Sequence, residues 1–579
     1  MSYVVATAGH VDHGKSTLVK RLTGMEPDRW EEEQQRGLTI DLGFVWADID
    51  GEDVAFVDVP GHERFIANML AGVGPAPVVM LVVAADEGVM AQTKEHLAAI
   101  DAFRIPTGVI AVTRADRADE ARRAATRNEI VDAVAGTTLE DWPVVEVSAV
   151  TGEGLDALTA ALAEVLRAAA TPDPDTRVRF WVDRSFTVKG AGTVVTGTLT
   201  AGTIRPGDRL ELNGREVHVR GVQSEDAAVD FATPARRVAL NLRDVDVERI
   251  GRGDVLTTPD AWQRTSVVDV AVTGDLPREA VAHIGTAGIG CRIRQLSPDF
   301  ARLTLDEPLP LTLGDAIVLR GSGDQRILAG ARAVDVDPPE FTRRGDAARR
   351  AEELAPEPDI SKEIARRVAV TPAQLQRLGF NVPDAPPQGS IAFAGYWIRA
   401  EQVMAWKDQL TAAVAEFERA NPLAAGVSVG AGVEKLKLPD AKLLPLAAAA
   451  AKLTVHDGVI SSGRSTDLGP GIEKLEAHLR ESPFAAPEAA DLARWGVGTK
   501  ELAAAERAGR VLRIADGVVL LPDAPARAVA LLRGVDQPFS ASDARKAWDT
   551  TRRVAIPLLE LLDAQGKTRR VDGTQRVLT

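Results

Sequence analysis

Residues 9–17 read GHVDHGKST, which sets Gly9, Gly14, Lys15 and Ser16 in the order G-x-x-x-x-G-K-[ST]. Glycines there let backbone N–H groups curl around phosphates, the lysine reaches β and γ oxygens, and the serine hydroxyl can meet Mg²⁺. His13, Gly14, Lys15, Ser16 and Thr17 are therefore candidate nucleotide ligands. A second apolar run, VAFVDVPGHERF at 54–65, ends in Asp58, placed to hold the metal through water. Gly61 and His62 follow it, and His62 stands where a side chain must orient an attacking water. Thr39, in RGLTI at 36–40, can bring a hydroxyl to the metal and the γ-phosphate. A loop that orders with triphosphate and relaxes after hydrolysis is a switch, and Thr39 and Gly61 are its candidate residues. A third strand, in VIAVTRADRAD at 109–119, delivers Thr113, Arg114 and Asp116. A carboxylate at 116 can accept both the ring N–H and the exocyclic amine of guanine, so the nucleotide implied is GTP. Such a site discriminates by roughly 10⁴-fold. Ser148 and Ala149 open SAVTGEGLDAL beyond a fourth strand, PVVEV.

Those residues need a frame of alternating strands and helices. YVVATA at 3–8 is a β-branched run of the kind that makes a buried strand, and LVKRLTG continues as a helix. The expected fold is an α/β P-loop GTPase domain over 1–172, ended by the linker TPDPDTR at 171–177. The texture then changes to short alternating strands with glycine turns, which predicts two β-barrel domains, 177–261 and 262–340. After VDPPEF the chain turns helix-rich. Gly395, Gly458, Gly517 and Gly573 then mark hairpin turns 63, 59 and 56 residues apart. Each unit reads as helices closed by a β-hairpin, the winged-helix plan. The expected modules are 345–404, 405–466, 467–522 and 523–579.

Composition narrows the partners. A net charge of −15 over 579 residues argues against wholesale adhesion to nucleic acid or anionic membrane. Any RNA contact must be local. The last forty residues supply a candidate: eight arginines and lysines against five carboxylates. Within TTRRVAIPLLELLDAQG, Val554, Leu558, Leu559, Leu561 and Leu562 are expected to face the core. Arg552 and Arg553 would then lie near the helix start, with Arg545 before it and Arg569 and Arg570 on the wing, where they can meet a phosphate backbone. A single cysteine, Cys291, excludes a disulfide framework. With no long apolar run and no export signal, the expectation is a cytoplasmic monomer with no membrane partner.

Taken together, GHVDHGKST, RGLTI, DVPGH, TRAD and SA resemble the translational GTPases. The resemblance implies that Asp12 helps place a charge-neutralising ion and that Val11 and Ile40 form an apolar gate near the water. It also marks a departure, because the usual base motif is N-K-x-D and this chain has Thr113 and Arg114. Losing the asparagine amide is expected to remove a tie to the phosphate loop, while the arginine stem could lie over the base. The middle of the chain resembles domains two and three of elongation factor Tu, which hold an aminoacyl-tRNA. In that resemblance WVDRSFTVKGAGTVVTG and ATPARRVALNL wall the aminoacyl pocket, with Asp183 at an acidic position and Arg237 in place of asparagine. A guanidinium in a pocket is costly to desolvate unless an anion meets it. Selenocysteine carried as selenolate would satisfy it and serine would not; the alternative is a surface strand arginine salt-bridged to Asp183, a purely structural pair. With the winged-helix tail added, the whole chain is similar to the selenocysteine-specific elongation factors. The likeness implies GTP and Mg²⁺ as cofactors. It implies selenocysteinyl-tRNA, the ribosome and an mRNA hairpin, the SECIS element, as partners.

Overall fold

The apolar run at the N-terminus becomes β1 (Ser2–Gly9), in which Val4, Val5, Ala6 and Ala8 are fully buried. Burial on both faces is what a central parallel strand requires. In the computed structural model, which describes residues 2–27, 39–170, 172–274, 276–323, 326–421, 423–463 and 468–579, five more strands flank it. They are β2 (Gly43–Ile49), β3 (Glu52–Asp58), β4 (Val78–Ala84), β5 (Gly108–Thr113) and β6 (Val144–Glu146). The sheet order is β2-β3-β1-β4-β5-β6, with only β2 antiparallel. One apolar cluster covers each face of this sheet. The loops that leave the carboxyl ends of β1, β3 and β5 therefore meet at one edge, the usual ligand position in a doubly wound sheet.

A seven-stranded sheet built from Arg179 to Thr257 follows, and then a closed six-stranded barrel from Gln263 to Asp335. The expected fold class, a GTPase domain followed by two β-domains and a winged-helix C-terminus, is the one observed. On the outer face of the barrel strand Gln263–Val272, opposite the core residues Val268 and Val270, Asp269 is fully buried and accepts from Arg302 at 2.6 and 3.0 Å and from Arg350 Nε at 2.8 Å. Arg350 also bonds Asp335. A buried carboxylate is tolerated because each of its oxygens has a charged donor.

Arg350 sits on helix Asp346–Glu353, which the sequence places in the first helical module; the ion pairs attach it to the barrel instead. The chain divides into two compact units, 1–363 with 372–382, and 364–371 with 383–579. Module 345–404 is thus shared between them, and its far boundary falls inside one continuous helix, Ala400–Ala420. The expected break between modules at 466–467 lies outside the described residues.

In the second unit four small sheets recur, three of three strands and one of two. Asp457 and Gly458 both take positive φ, as a two-residue hairpin of this kind needs, whereas Gly573 does not. The last two modules share one apolar cluster from Leu468 to Leu562, and a second cluster runs from Ala369 to Ile460. In helix Arg552–Ala564, Val554, Ala555, Leu558, Leu559 and Leu562 are buried; Leu561 is only half-buried, a correction to the expected core.

Candidate functional site

Gly9 carries φ +134, and a Cβ there would strike the Val82 carbonyl, so the turn out of β1 admits only glycine. Asp12 and Gly14 also take positive φ, which curls the loop before helix Lys15–Thr23 starts. Lys15 is almost fully buried and donates from Nζ to the carbonyls of Gly9 at 3.0 Å and His10 at 2.8 Å. Its ammonium is thereby held along the loop. Thr17 takes its place on the same helix, the second residue after Lys15.

Three oxygen-bearing side chains meet beside Lys15. Ser16 Oγ donates to Asp58 Oδ2 at 2.6 Å and lies 3.1 Å from Thr39 Oγ1. The other carboxylate oxygen of Asp58 accepts from Thr7 Oγ1 at 2.7 Å, so the buried acid is fixed from both sides. Two hydroxyls and one carboxylate are hard donors that suit Mg²⁺, which keeps several waters and takes few protein ligands. Thr39 and Ile40 are described, whereas Arg36–Leu38 of the same motif lie outside the described residues. Gly61 packs on the loop so closely that a Cβ would come 2.7 Å from Val11 N. His62 is half-buried and its Nδ1 accepts from Arg64 N–H at 3.2 Å, capping the short helix Glu63–Phe65. Val11 and Ile40 are each half-buried; Val11 N–H donates to Gln92 Oε1 at 3.1 Å and Ile40 O accepts from Asn68 at 2.9 Å.

The base side corrects one expectation. Thr113 Oγ1 donates to the His13 carbonyl at 2.6 Å, so the tie to the phosphate loop persists without an asparagine amide. A hydroxyl on a buried strand end suffices because the carbonyl comes to it. Arg114, at φ +55, adds a second tie: its Nη2 bonds the Asp12 carbonyl while Nη1 pairs with Glu87 at 2.7 Å and Asp86 at 3.5 Å. Asp116 is exposed, within the turn Ala115–Arg117. Ser148 is buried and accepts from Thr151 N–H at 3.1 Å, with Ala149 half-buried beside it.

Two residues on helix Ala91–Ala102 escaped the sequence reading. Gln92 holds Val11 N–H, and His96 Nδ1 accepts from Gly9 N–H at 2.9 Å. They stand four apart, hence on one helix face. Burial drives the His96 imidazole down to about 3, helped by the Lys15 charge. His13 is likewise pushed to about 4 by burial and by His10. Both rings are neutral acceptors at neutral pH. Spacing i, i+4 on a helix after β4 was the available signal, and nothing local tied it to the loop.

A cavity of about 480 Å³ opens between β2 and the first β-domain, lined in part by Phe44, Trp46, Arg184, Phe186, Arg220 and Arg237. Arg237 Nη2 donates to Asp183 Oδ1 at 2.9 Å and to Thr196 Oγ1 at 3.2 Å, and its guanidinium carbon lies 3.3 Å from the Phe44 ring centre. The two candidate pocket residues are thus brought together. The cation already has a carboxylate, which corrects the premise that only an arriving anion could compensate it. Arg184 is a further wall residue missed from sequence; its guanidinium stands 5.7 Å from the same ring.

At the other end, Arg552, Arg569 and Arg570 are exposed and Arg545 is half-buried. Arg570 Nε lies 3.3 Å from Asp563 Oδ2. Arg553 is committed to the protein: it donates to the carbonyls of Gly517 at 2.9 Å, Ala486 at 2.6 Å and Pro487 at 3.1 Å. It joins the last two modules, a structural task that the sequence reading assigned to RNA.

Fold and site together are similar to those of the translational GTPases. Residues 2–168 match the elongation factor Tu GTP-binding domain and 192–257 elongation factor Tu domain 2. Residues 278–340 match the β-barrel domain of the selenocysteine-specific elongation factor, and 530–578 the winged helix of elongation factor SelB. In these segments the chain is similar to the selenocysteine-specific elongation factors. It is 40% identical over 351 residues to the selenocysteine-specific elongation factor of Escherichia coli K12, and 38% identical over 357 to that of Desulfomicrobium baculatum. These alignments cover 59% and 58% of this chain and 56% of each relative, so the match spans little more than half of their length. A crystal structure of bacterial selenocysteine-specific elongation factor EF-Sec superposes over 100% of both chains with a TM-score of 0.82 at 28% identity.

Proposed function

We propose that this protein is a GTP-hydrolysing elongation factor. It carries selenocysteinyl-tRNA to the ribosome at UGA codons marked by an mRNA hairpin, the SECIS element. Its place of action is the cytoplasm, as a monomer. The observation that carries this reading is Arg237, paired to Asp183 and stacked on Phe44 at the wall of a cavity that β2 shares with the first β-domain. A selenol ionises far more readily than a thiol or a hydroxyl. The guanidiniums of Arg237 and Arg184 therefore favour selenocysteine over serine at the tip of an otherwise identical adaptor.

Lys15 and the loop amides of Asp12, His13 and Gly14 hold the phosphates, with Thr17 following them into the helix. Ser16 and Thr39 would hold Mg²⁺ through their hydroxyls, and Asp58 through water. When bound, the ion supplies positive charge to the β- and γ-phosphate oxygens. Asp116 accepts from guanine, while Thr113 and Arg114 keep that turn in register with the phosphate loop and Ser148 and Ala149 close the base side. His62, with Nδ1 engaged by Arg64, is left to orient the attacking water through Nε2 once the ribosome turns it past the Val11 and Ile40 gate. Thr39 and Gly61 report the γ-phosphate. In the last module Arg545, Arg552, Arg569 and Arg570 meet the hairpin backbone. The tail then acts as a tether that raises the local concentration of the charged tRNA at one codon. A hydrolysis-protection assay tests the reading. GTP-loaded protein should protect the ester of selenocysteinyl-tRNA and leave that of seryl-tRNA open, and equal protection of both would refute it.

A further inference from the structure

The segment that brings Thr39 to the metal-side oxygens runs straight on into the wall of the cavity. Its one carboxylate there is gripped by two arginines of the β-domain. Asp41 Oδ1 accepts from Arg252 Nη2 at 2.5 Å and Oδ2 from Arg184 Nη2 at 3.2 Å. Arg252 reaches further, donating from Nη1 to Asn68 Oδ1 at 2.7 Å and from Nε to the Asp183 carbonyl at 3.1 Å. Asn68 closes the ring through Nδ2, which donates to the Ile40 carbonyl at 2.9 Å. Four side chains and two carbonyls thus join four segments: residues 39–42, helix Ile66–Val73 behind His62, strand Arg179–Val188 with Asp183 and Arg184, and the turn that carries Arg252. Asp183 is in turn the partner of Arg237.

The pair of Asp41 with Arg252 is only partly exposed, at 28% and 29%, so solvent screens it less than a surface pair.

Resting on the reading above, we propose that Asp41 is the positioning residue that transmits the state of the nucleotide site to the cargo cavity. Thr39 is two residues away, so a triphosphate that orders Thr39 also fixes the Asp41 carboxylate between Arg252 and Arg184. Those two arginines then hold the Asp183 carbonyl and the cavity edge in place. When the loop relaxes on GDP, the carboxylate withdraws, two guanidiniums lose their counter-charge, and the wall strand that orients Arg237 through Asp183 loses its anchor. A coupling of this kind is reciprocal: cargo must tighten triphosphate, relative to diphosphate, by the factor by which triphosphate rather than diphosphate tightens cargo.

The test uses the full chain and measures selenocysteinyl-tRNA affinity with a non-hydrolysable GTP analogue and with GDP. The affinities of the labelled analogue and of labelled GDP are measured with and without cargo. Asp41→Asn removes the charge with little change of shape. It should cut the triphosphate-to-diphosphate affinity ratio for cargo by about tenfold, within the usual 5–150-fold span of allosteric couplings, and shrink the effect of cargo on the analogue-to-GDP affinity ratio equally. Asp41→Glu, which restores the charge on a longer arm, should recover part of the ratio. Asp50→Asn, which breaks the exposed pair of Asp50 with Arg167, should leave it untouched. Equal weakening with both nucleotides in Asp41→Asn would make Asp41 a plain wall residue and overturn the inference, as would an unchanged ratio. Wild-type protein that holds seryl-tRNA as well as selenocysteinyl-tRNA would overturn the underlying reading instead.

Discussion

The nucleotide site and the terminal module both carry cationic side chains, and they are built in opposite ways. At the front, Lys15, Asp58, His13 and Thr113 are buried; Lys15 is held by carbonyls of its own loop and the other three by hydrogen bonds to other segments. At the end, Arg552 and Arg569 stand in solvent on a helix start and a wing. The first arrangement is preorganised, so its donors need not reorganise as charge develops, and it can distinguish one ligand from a near copy. The second gives affinity that falls with salt and carries little chemical discrimination by itself. Arg553 shows that the contrast is not one of residue type, because the neighbour of a solvent-facing arginine donates from both terminal nitrogens to backbone carbonyls.

The contrast would break first at His62. His62→Ala should lower ribosome-stimulated hydrolysis by about 10²–10⁴-fold with GTP affinity intact; single-turnover rates with programmed ribosomes check this, and a normal stimulated rate would refute the role. Next comes Thr113→Val, which deprives the buried His13 carbonyl of its donor. Such a loss costs about 1–3 kcal/mol, so GTP and GDP should bind about 5–150-fold more weakly in a fluorescent-nucleotide titration, and Thr113→Asn should recover most of it. At the far end, Arg552→Ala should weaken hairpin RNA binding and reduce the salt slope by about one. Arg553→Ala should instead lower the melting temperature of the tail while its direct effect on that slope stays small.

The smallest effect is a matter of pH. His13 and His96 are neutral when folded, with values near 4 and 3 against an ordinary 6.5. As pH falls below 6.5 the unfolded chain binds protons that the fold refuses. Their stabilisation, complete above 6.5, is then lost at roughly 1.4 kcal/mol per pH unit for each ring until the folded values are reached. His96→Asn keeps an acceptor for Gly9 N–H and does not titrate, so thermal melting between about pH 6 and pH 4 should show a shallower decline.

Much of the front end was legible because its chemistry is local. GHVDHGKST, DVPGH and TRAD each combine a strand end, a turn and a ligand within ten residues, so spacing alone places Lys15, Asp58 and Asp116 at one sheet edge. What stayed hidden is long-range. The Thr113 tie joins residues 100 apart in sequence, and Gln92 and His96 reach the loop from over 80 residues away. Arg237 was visible as a type out of place, but its Asp183 partner and its Phe44 platform belong to two different domains. The helical modules were legible from turn glycines. Their pairing into two cores was not, since only packing shows that Phe484 stacks on Trp548 with ring centres 5.9 Å apart.

The central claim is that the cavity cation selects the cargo. It is tested most directly by the protection of selenocysteinyl-tRNA relative to seryl-tRNA in wild type and in Arg237→Ala, each loaded with a GTP analogue. The account predicts a large preference for the selenocysteinyl form that shrinks by an order of magnitude or more in the variant, in line with the loss of a charge-assisted contact. A preference that survives the substitution unchanged would contradict it.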